Sequence, residues 1–331
     1  MRTAKSLFAI SLLFAATLSA LPAQAQSETL LVLSKKDHTV ALVDPATLKV
    51  KAKAPVGDDP HEVIASSDGK TAWVSNYGGG TQHTLAVIDL VNAKALKPIQ
   101  LGALAGPHGV EFHDGHLFFT VEGSKAIGRI DPATGTIDWV MGTGQDRTHM
   151  LWIAPDGKQI VTSNIASGTM TVFDQGASGK PTDWQASIIP VRQGAEGFDV
   201  SPDTREIWTA NAGDGSVSVI DREAKKVLTT LEIGAKGANR LKFTPDGRFV
   251  VISSLSGADL LVLDAKSRTV VQRVPVGTGA AGIAISPDGS RIFVACTPDN
   301  YVAVVDPKTW KVTGHLDAGG NPDGMAWVSA H

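Results

Sequence analysis

The chain has one cysteine, Cys296, in 331 residues, so no internal disulfide can form. Cys296 ends the apolar run Arg291-Ile-Phe-Val-Ala-Cys296 and reads as a small buried residue. There is no Cys-x-x-Cys-His, which excludes covalently attached haem, and no haem is expected among the cofactors. Polybasic runs and acidic tails are also missing, which argues against a nucleic-acid or anionic-membrane partner. Beyond residue 25 no stretch approaches ~18 consecutive apolar residues, so no membrane span is expected.

The first 25 residues are the exception in character. Arg2 and Lys5 precede the apolar stretch Leu7 to Leu18, and Ala23-Gln24-Ala25 supplies a small-x-small cleavage site. This is the pattern of a cleaved secretory signal, and it predicts a periplasmic or secreted protein. Losing Arg2 and Lys5 moves the formal net charge of −3 two units further negative.

What is present is a repeat. Asp44, Asp89, Asp131, Asp174, Asp221, Asp264 and Asp306 each close a short apolar strand, at a spacing of about 44 residues. Between them recur tight turns such as Ser67-Asp68-Gly69-Lys70 and Ser286-Pro287-Asp288-Gly289, where Gly takes positive φ and Asp bonds its own backbone. Each unit holds four short β-branched or aromatic strands with turn signals every ~8–12 residues, the pattern of a β-propeller blade. Six units lie between Gly57 and Gly319, and the strands left at the two ends add up to a seventh. The expected fold is therefore all-β: a single seven-bladed β-propeller over 26–331, its ring closed by pairing N-terminal strands with a C-terminal strand.

Trp73-Val74-Ser75-Asn76, Val161-Thr162-Ser163-Asn164 and Trp208-Thr209-Ala210-Asn211, with the Ser-Pro-Asp-Gly turns and Val-Ile-Asp strand ends, resemble the YVTN-type propeller repeat family. The resemblance implies the fold. For function it implies several things: binding and surface proteins, lactonase-like enzymes, and the propeller part of nitrous oxide reductase. The last also needs a cupredoxin domain, which is absent here.

Register places residues at the channel mouth. Counting back seven from each turn Asp gives His61, His149, Glu196, Asn239 and Ala281; Pro107-His108 aligns with Pro60-His61, and the closing blade supplies Asp323. His61, His108, His149 and Glu196 on four successive blades form a candidate ligand set for Zn²⁺, or for Cu, Fe or Ni. The alternative is a polar lining in which Pro-His-Gly simply begins a blade. Arg147 and Arg240 flank the ring and suit a carboxylate or phosphate. With Asn239, Asp323, Glu122 and Asn164 they make the candidate ligand-binding set, although an Asn ending a second strand can equally hold its own loop. His38 and His83 lie in loops farther out, and His113 and His116 flank a turn on the opposite face. The run Gly78-Gly79-Gly80 lacks a following helix and Lys-Ser/Thr, so it is not a phosphate loop. The seven Trp read as blade packing rather than a stacking platform.

Two main functions follow from this register, beside a third, a redox role with a bound quinone or copper. One is a binding module that takes a small polar or anionic molecule, a metal, or a periplasmic protein at the top of its channel, as a monomer. The other is a metal-dependent enzyme, lactonase- or hydrolase-like, using His61, His108, His149 and Glu196. Lactonase-like propellers typically use carboxylate and amide ligands, so the His-rich ring departs from them and argues against lactone chemistry and calcium-type ions; no catalytic residue is assigned.

Overall fold

A computed structural model describes residues 28–328; the signal-peptide reading of 1–25 lies outside them. The chain forms seven antiparallel sheets around one axis. Blade 1 pairs Pro322–Val328, as its inner strand, with Thr29–Ser34, Thr39–Asp44 and Lys49–Pro55. Blades 2 to 7 then begin at Pro60, Pro107, Thr148, Ala195, Ala238 and Ala280. Their inner strands touch in succession, and Pro322–Val328 touches the inner strands of both blade 7 and blade 2. The closed ring predicted from the repeat is present: the two ends of the chain share one sheet and leave no free inner edge.

The repeating Asp residues hold the turns between third and fourth strands. In six blades the carboxylate accepts a backbone N–H two or three residues on, at 2.8–2.9 Å. Blade 4 departs from this. Its connection runs from Gly176 to Asp183, and Asp174 instead accepts from Gln159 Nε2 at 2.8 Å and pairs with Lys225. The core lies between blades, as stacked layers of apolar residues from the inner three strands; Trp208 and Phe243 are one such pair. Cys296 is fully buried there, and burial pushes its thiol up to about 12.

Each inner strand carries a bulge at the same place. In blade 3, Pro107 pairs with Val121 and Val110 with Phe119, so His108 and Gly109 oppose Thr120 alone. The same two-against-one count recurs in the other six blades, at His61, His149, Glu196, Asn239, Ala281 and Asp323. A bulge re-aims the side chain it carries, and here it turns one residue per blade into the channel.

Candidate functional site

In four blades the residue after the ring position is a glycine squeezed against the neighbouring blade: Gly109, Gly197, Gly282 and Gly324. A Cβ on Gly109 would meet the His149 carbonyl at 2.7 Å, one on Gly197 the Asn239 carbonyl at 2.6 Å, and one on Gly324 the His61 carbonyl at 2.1 Å. Hydroxyls on the opposing strands lock ring carbonyls as well: Thr120 donates to His149 O at 2.5 Å. Ser163 donates to Glu196 O at 2.6 Å and Ser253 to Ala281 O at 2.7 Å. The backbone of the ring is thus fixed before its side chains make any contact.

All seven ring positions line one cavity of about 330 Å³, together with Lys35, Tyr77, Arg147 and Arg240. His108 and His149 lie almost in contact, with ring centroids 3.8 Å apart, and both are 2% exposed. The His149 ring is held from both ends. Its Nδ1 is 2.5 Å from Glu122 Oε1, while its Nε2 is 3.4 Å from Glu196 Oε1 and 3.3 Å from an Arg240 nitrogen. Burial lowers the His149 pKa, but Glu196 and Glu122 outweigh it, so the net shift is upward. Burial raises Glu122, yet hydrogen bonds from His149 and Tyr77 and the Arg147 charge bring it down to about 2. Glu122 Oε2 accepts from Tyr77 Oη at 2.5 Å and from Arg147 Nε at 3.1 Å. Burial and that carboxylate together push the Tyr77 phenol up to about 12.

His108 is the opposite case. Burial, then the neighbouring His149 and His61, hold it well below the ordinary imidazole value, so it is neutral. Its Nδ1 is buried without a hydrogen-bond partner among the described residues. Donor atoms of His108, Glu122 and His149 lie within 4.8 Å of one another, and these three could hold a metal ion. Donors around tetrahedral zinc are roughly 3.3 Å apart, so the group would contract by an ångström or so on loading.

The ring residues from the sequence divide accordingly. His61 shares the cavity but is engaged elsewhere: Nε2 is 2.9 Å from Lys35 Nζ, and Nδ1 is 3.0 Å from the Asp59 carbonyl. Lys35 in turn pairs with Asp323 at 2.6 Å. Glu196 reaches His149 but stands outside the three-residue group. Glu122, expected beside the ligand, joins the histidines instead. Arg240 crosses the channel from blade 6 to an ion pair with Glu62 of blade 2 and closes the cavity floor. Asn239 and Ala281 lie on the wall facing the histidines. Asn164 is fully buried and does not line the cavity; it bonds Thr148, Thr169 and Thr171 within its own blade. Spacing gave no sign of Lys35, Tyr77 or Glu62. The one available clue was adjacency, since Glu62 follows His61 and Tyr77 follows Asn76.

Fold and site together define a seven-bladed β-propeller with a polar, histidine-rich channel mouth. Residues 146–295 match the family described as the Cytochrome D1 heme domain. No curated protein matches the chain. Among solved structures it is similar to hydrazine synthase from Kuenenia stuttgartiensis, at 21% identity over 84% of this chain and 92% of that one, with a TM-score of 0.72. It is also similar to a periplasmic gluconolactonase, PpgL, from Pseudomonas aeruginosa: 20% identity, 92% and 99% coverage, TM-score 0.73. A third is the dihydro-heme d1 dehydrogenase NirN in complex with DHE, at 15% identity over 91% of this chain and 66% of that one, TM-score 0.66. At these identities the likeness is one of fold. The cavity as it stands is too small to enclose a tetrapyrrole. Its 330 Å³ is at the small end of ligand pockets, and Arg240 and Glu62 bar the axis beneath.

Proposed function

We propose that this protein is a periplasmic propeller that binds one transition-metal ion, zinc foremost, at the channel mouth and a small anionic ligand above it. The buried His108–Glu122–His149 group carries the reading: two imidazoles and a carboxylate, with an orphaned ring nitrogen among them. This donor set suits Zn²⁺, and also Cu, Fe or Ni, better than a hard oxygen-seeking cation. Glu196 approaches His149 from the other side and is the natural further ligand. For the anion, Arg147 touches Glu122 through Nε alone and is half-exposed at the mouth. The YVTN-type repeat and the signal-like N-terminus support the periplasmic assignment, as does the likeness to a periplasmic gluconolactonase.

A second reading, hydrolysis of a lactone or other ester, is favoured by the Glu122–His149 contact, which fixes the imidazole and directs Nε2 toward the cavity. A bound ion would supply Lewis acidity and a more acidic water. The chain's own part would be His149 holding the ion, Glu196 beside it taking up a proton, Arg147 holding a carboxylate, and Arg240 excluding water from below.

Metal analysis of the mature protein, purified without a tag, tests both readings beside a His108→Ala/His149→Ala variant. About one equivalent, lost in the variant, is expected, and a lactone and ester screen follows with that ion. No metal in either protein after reconstitution would overturn the metal site and leave an anion-binding propeller.

A further inference from the structure

The opposite face holds a second pocket, built where the repeat is broken. Between blades 3 and 4 lies a cavity of about 170 Å³ walled by Phe118, Trp139, Ile153, Ile160 and Trp184 and edged by Pro181. Blade 4 alone replaces the short Asp-capped turn with the segment Gly176–Asp183, and that segment is the roof. It is stapled to itself, with Ser178 Oγ on the Asp183 carboxylate at 2.5 Å and Gly176 N on the Asp183 carbonyl at 2.7 Å. It is also tied to blade 3, where Trp139 Nε1 donates to the Pro181 carbonyl at 2.7 Å. The two indoles stand 6.0 Å apart at 53°, with the Phe118 ring 6.4 Å from Trp139.

Size and lining restrict the occupant. An engineered cavity of about 150 Å³ lined by Leu, Ile and Phe stays dry and takes up benzene. This one is slightly larger, more aromatic and open at one end. The opening leads to a shallow vestibule that shares His113, Phe118 and Arg129 with the pocket. Arg129 uses Nε and one terminal nitrogen on Asp138, at 2.9 and 3.1 Å. Its other terminal nitrogen and the His113 ring have no hydrogen-bond partner among the described residues. Asp114 and Asp156 sit in the same vestibule, so a carboxylate there would face two like charges. An uncharged hydroxyl, which both donates and accepts, meets no such opposition.

We propose that this cleft is a binding site for a single-ring phenol, its ring between Trp139, Trp184 and Phe118 and its hydroxyl at Arg129 and His113. It is separate from the channel mouth, because His113 and His108 stand at opposite ends of one inner strand, Pro107–His113.

Phenol itself is the probe. Calorimetry and tryptophan-selective fluorescence on the full mature chain should show saturable binding with Kd of about 0.1–1 mM, and at least tenfold weaker binding of cyclohexanol and of benzoate. Trp139→Leu should weaken phenol tenfold or more. Because that variant also removes the Trp139–Pro181 hydrogen bond, Arg129→Gln serves as a second: it should weaken phenol while leaving toluene unchanged. Arg147→Gln, on the other face, should bind phenol as the parent does. No saturation, equal binding of benzoate, undiminished binding by Trp139→Leu, or loss in Arg147→Gln would each overturn the site.

Discussion

The Thr120 hydroxyl donates to the carbonyl of His149 at 2.5 Å and accepts from Gly109 N at 2.8 Å, joining blade 3 to blade 4 directly behind the histidine pair. Thr120 is fully buried, so its loss strands a donor and an acceptor. Thr120→Val should cost about 1–3 kcal/mol in denaturant unfolding and should also weaken metal uptake. Thr120→Ser should restore most of both. Unchanged metal affinity in the valine variant would show that this bond does not position His149.

Glu122 is expected to govern both metal retention and the charge on His149. Removing a carboxylate that binds or orients a ligating histidine typically lowers metal affinity about 10–100-fold, and Glu122→Gln should fall in that range by competition with a chelating dye. In the metal-free protein the same change should lower the His149 pKa, because one of the carboxylates that raise it has gone. An NMR titration of His149 reads this directly, and an unmoved midpoint would refute it.

Lower in the channel, Glu111 is raised from the usual carboxylate value to about 7, first by burial and then by Asp199, against the pull of Lys242. A carboxyl raised in the folded state stabilises fully below its unfolded pKa, and that contribution fades as pH climbs through the folded value. Stability should therefore decline between about pH 4.5 and 7, by on the order of 2–3 kcal/mol at most. Glu111→Gln should flatten the decline and be the more stable protein at pH 8. Parallel pH profiles of the two proteins would count against the shift.

Gly324 has room for no side chain, since a Cβ would lie 2.1 Å from the His61 carbonyl. Gly324→Ala should destabilise by about 1–3 kcal/mol or more. Gly102→Ala serves as a control: it has open space within 4 Å but a φ of +62°, so its cost should come from backbone strain alone. If Gly324→Ala proves the milder of the two, the tight packing of inner strands is not what fixes the ring.

Blade number, closure and the identity of the seven ring residues were legible because a repeat converts sequence distance into angular position. His108 and His149 could be read as neighbours for that reason alone. What spacing cannot carry is reach. Arg240 is on blade 6, and its partner Glu62 is on blade 2; nothing in a 44-residue period says that a long side chain will cross the axis. Glu122 was placed on the right face, but its turn toward His149 depends on Tyr77 and Arg147 holding its other oxygen. Asn164 misled because an amide ending a second strand looks the same in sequence whether it faces the channel or folds back on its own hairpin. The aromatic cleft was hidden for another reason. Trp139 and Trp184 are ordinary blade-packing residues by position, and only the longer Gly176–Asp183 segment sets them apart.

The inner strand of blade 1, Pro322–Val328, comes about 290 residues after the strand it pairs with, Thr29–Ser34. Only when Pro322–Val328 docks on Thr29–Ser34 does Asp323 come within 2.6 Å of Lys35, whose other carboxylate partner, Asp59, is 3.8 Å away. If the mouth binds a metal as proposed, an opened ring would therefore hold more net positive charge near the ion than the closed one. On that proposal, ring closure would make the mouth more receptive, and metal capture would report on completed folding.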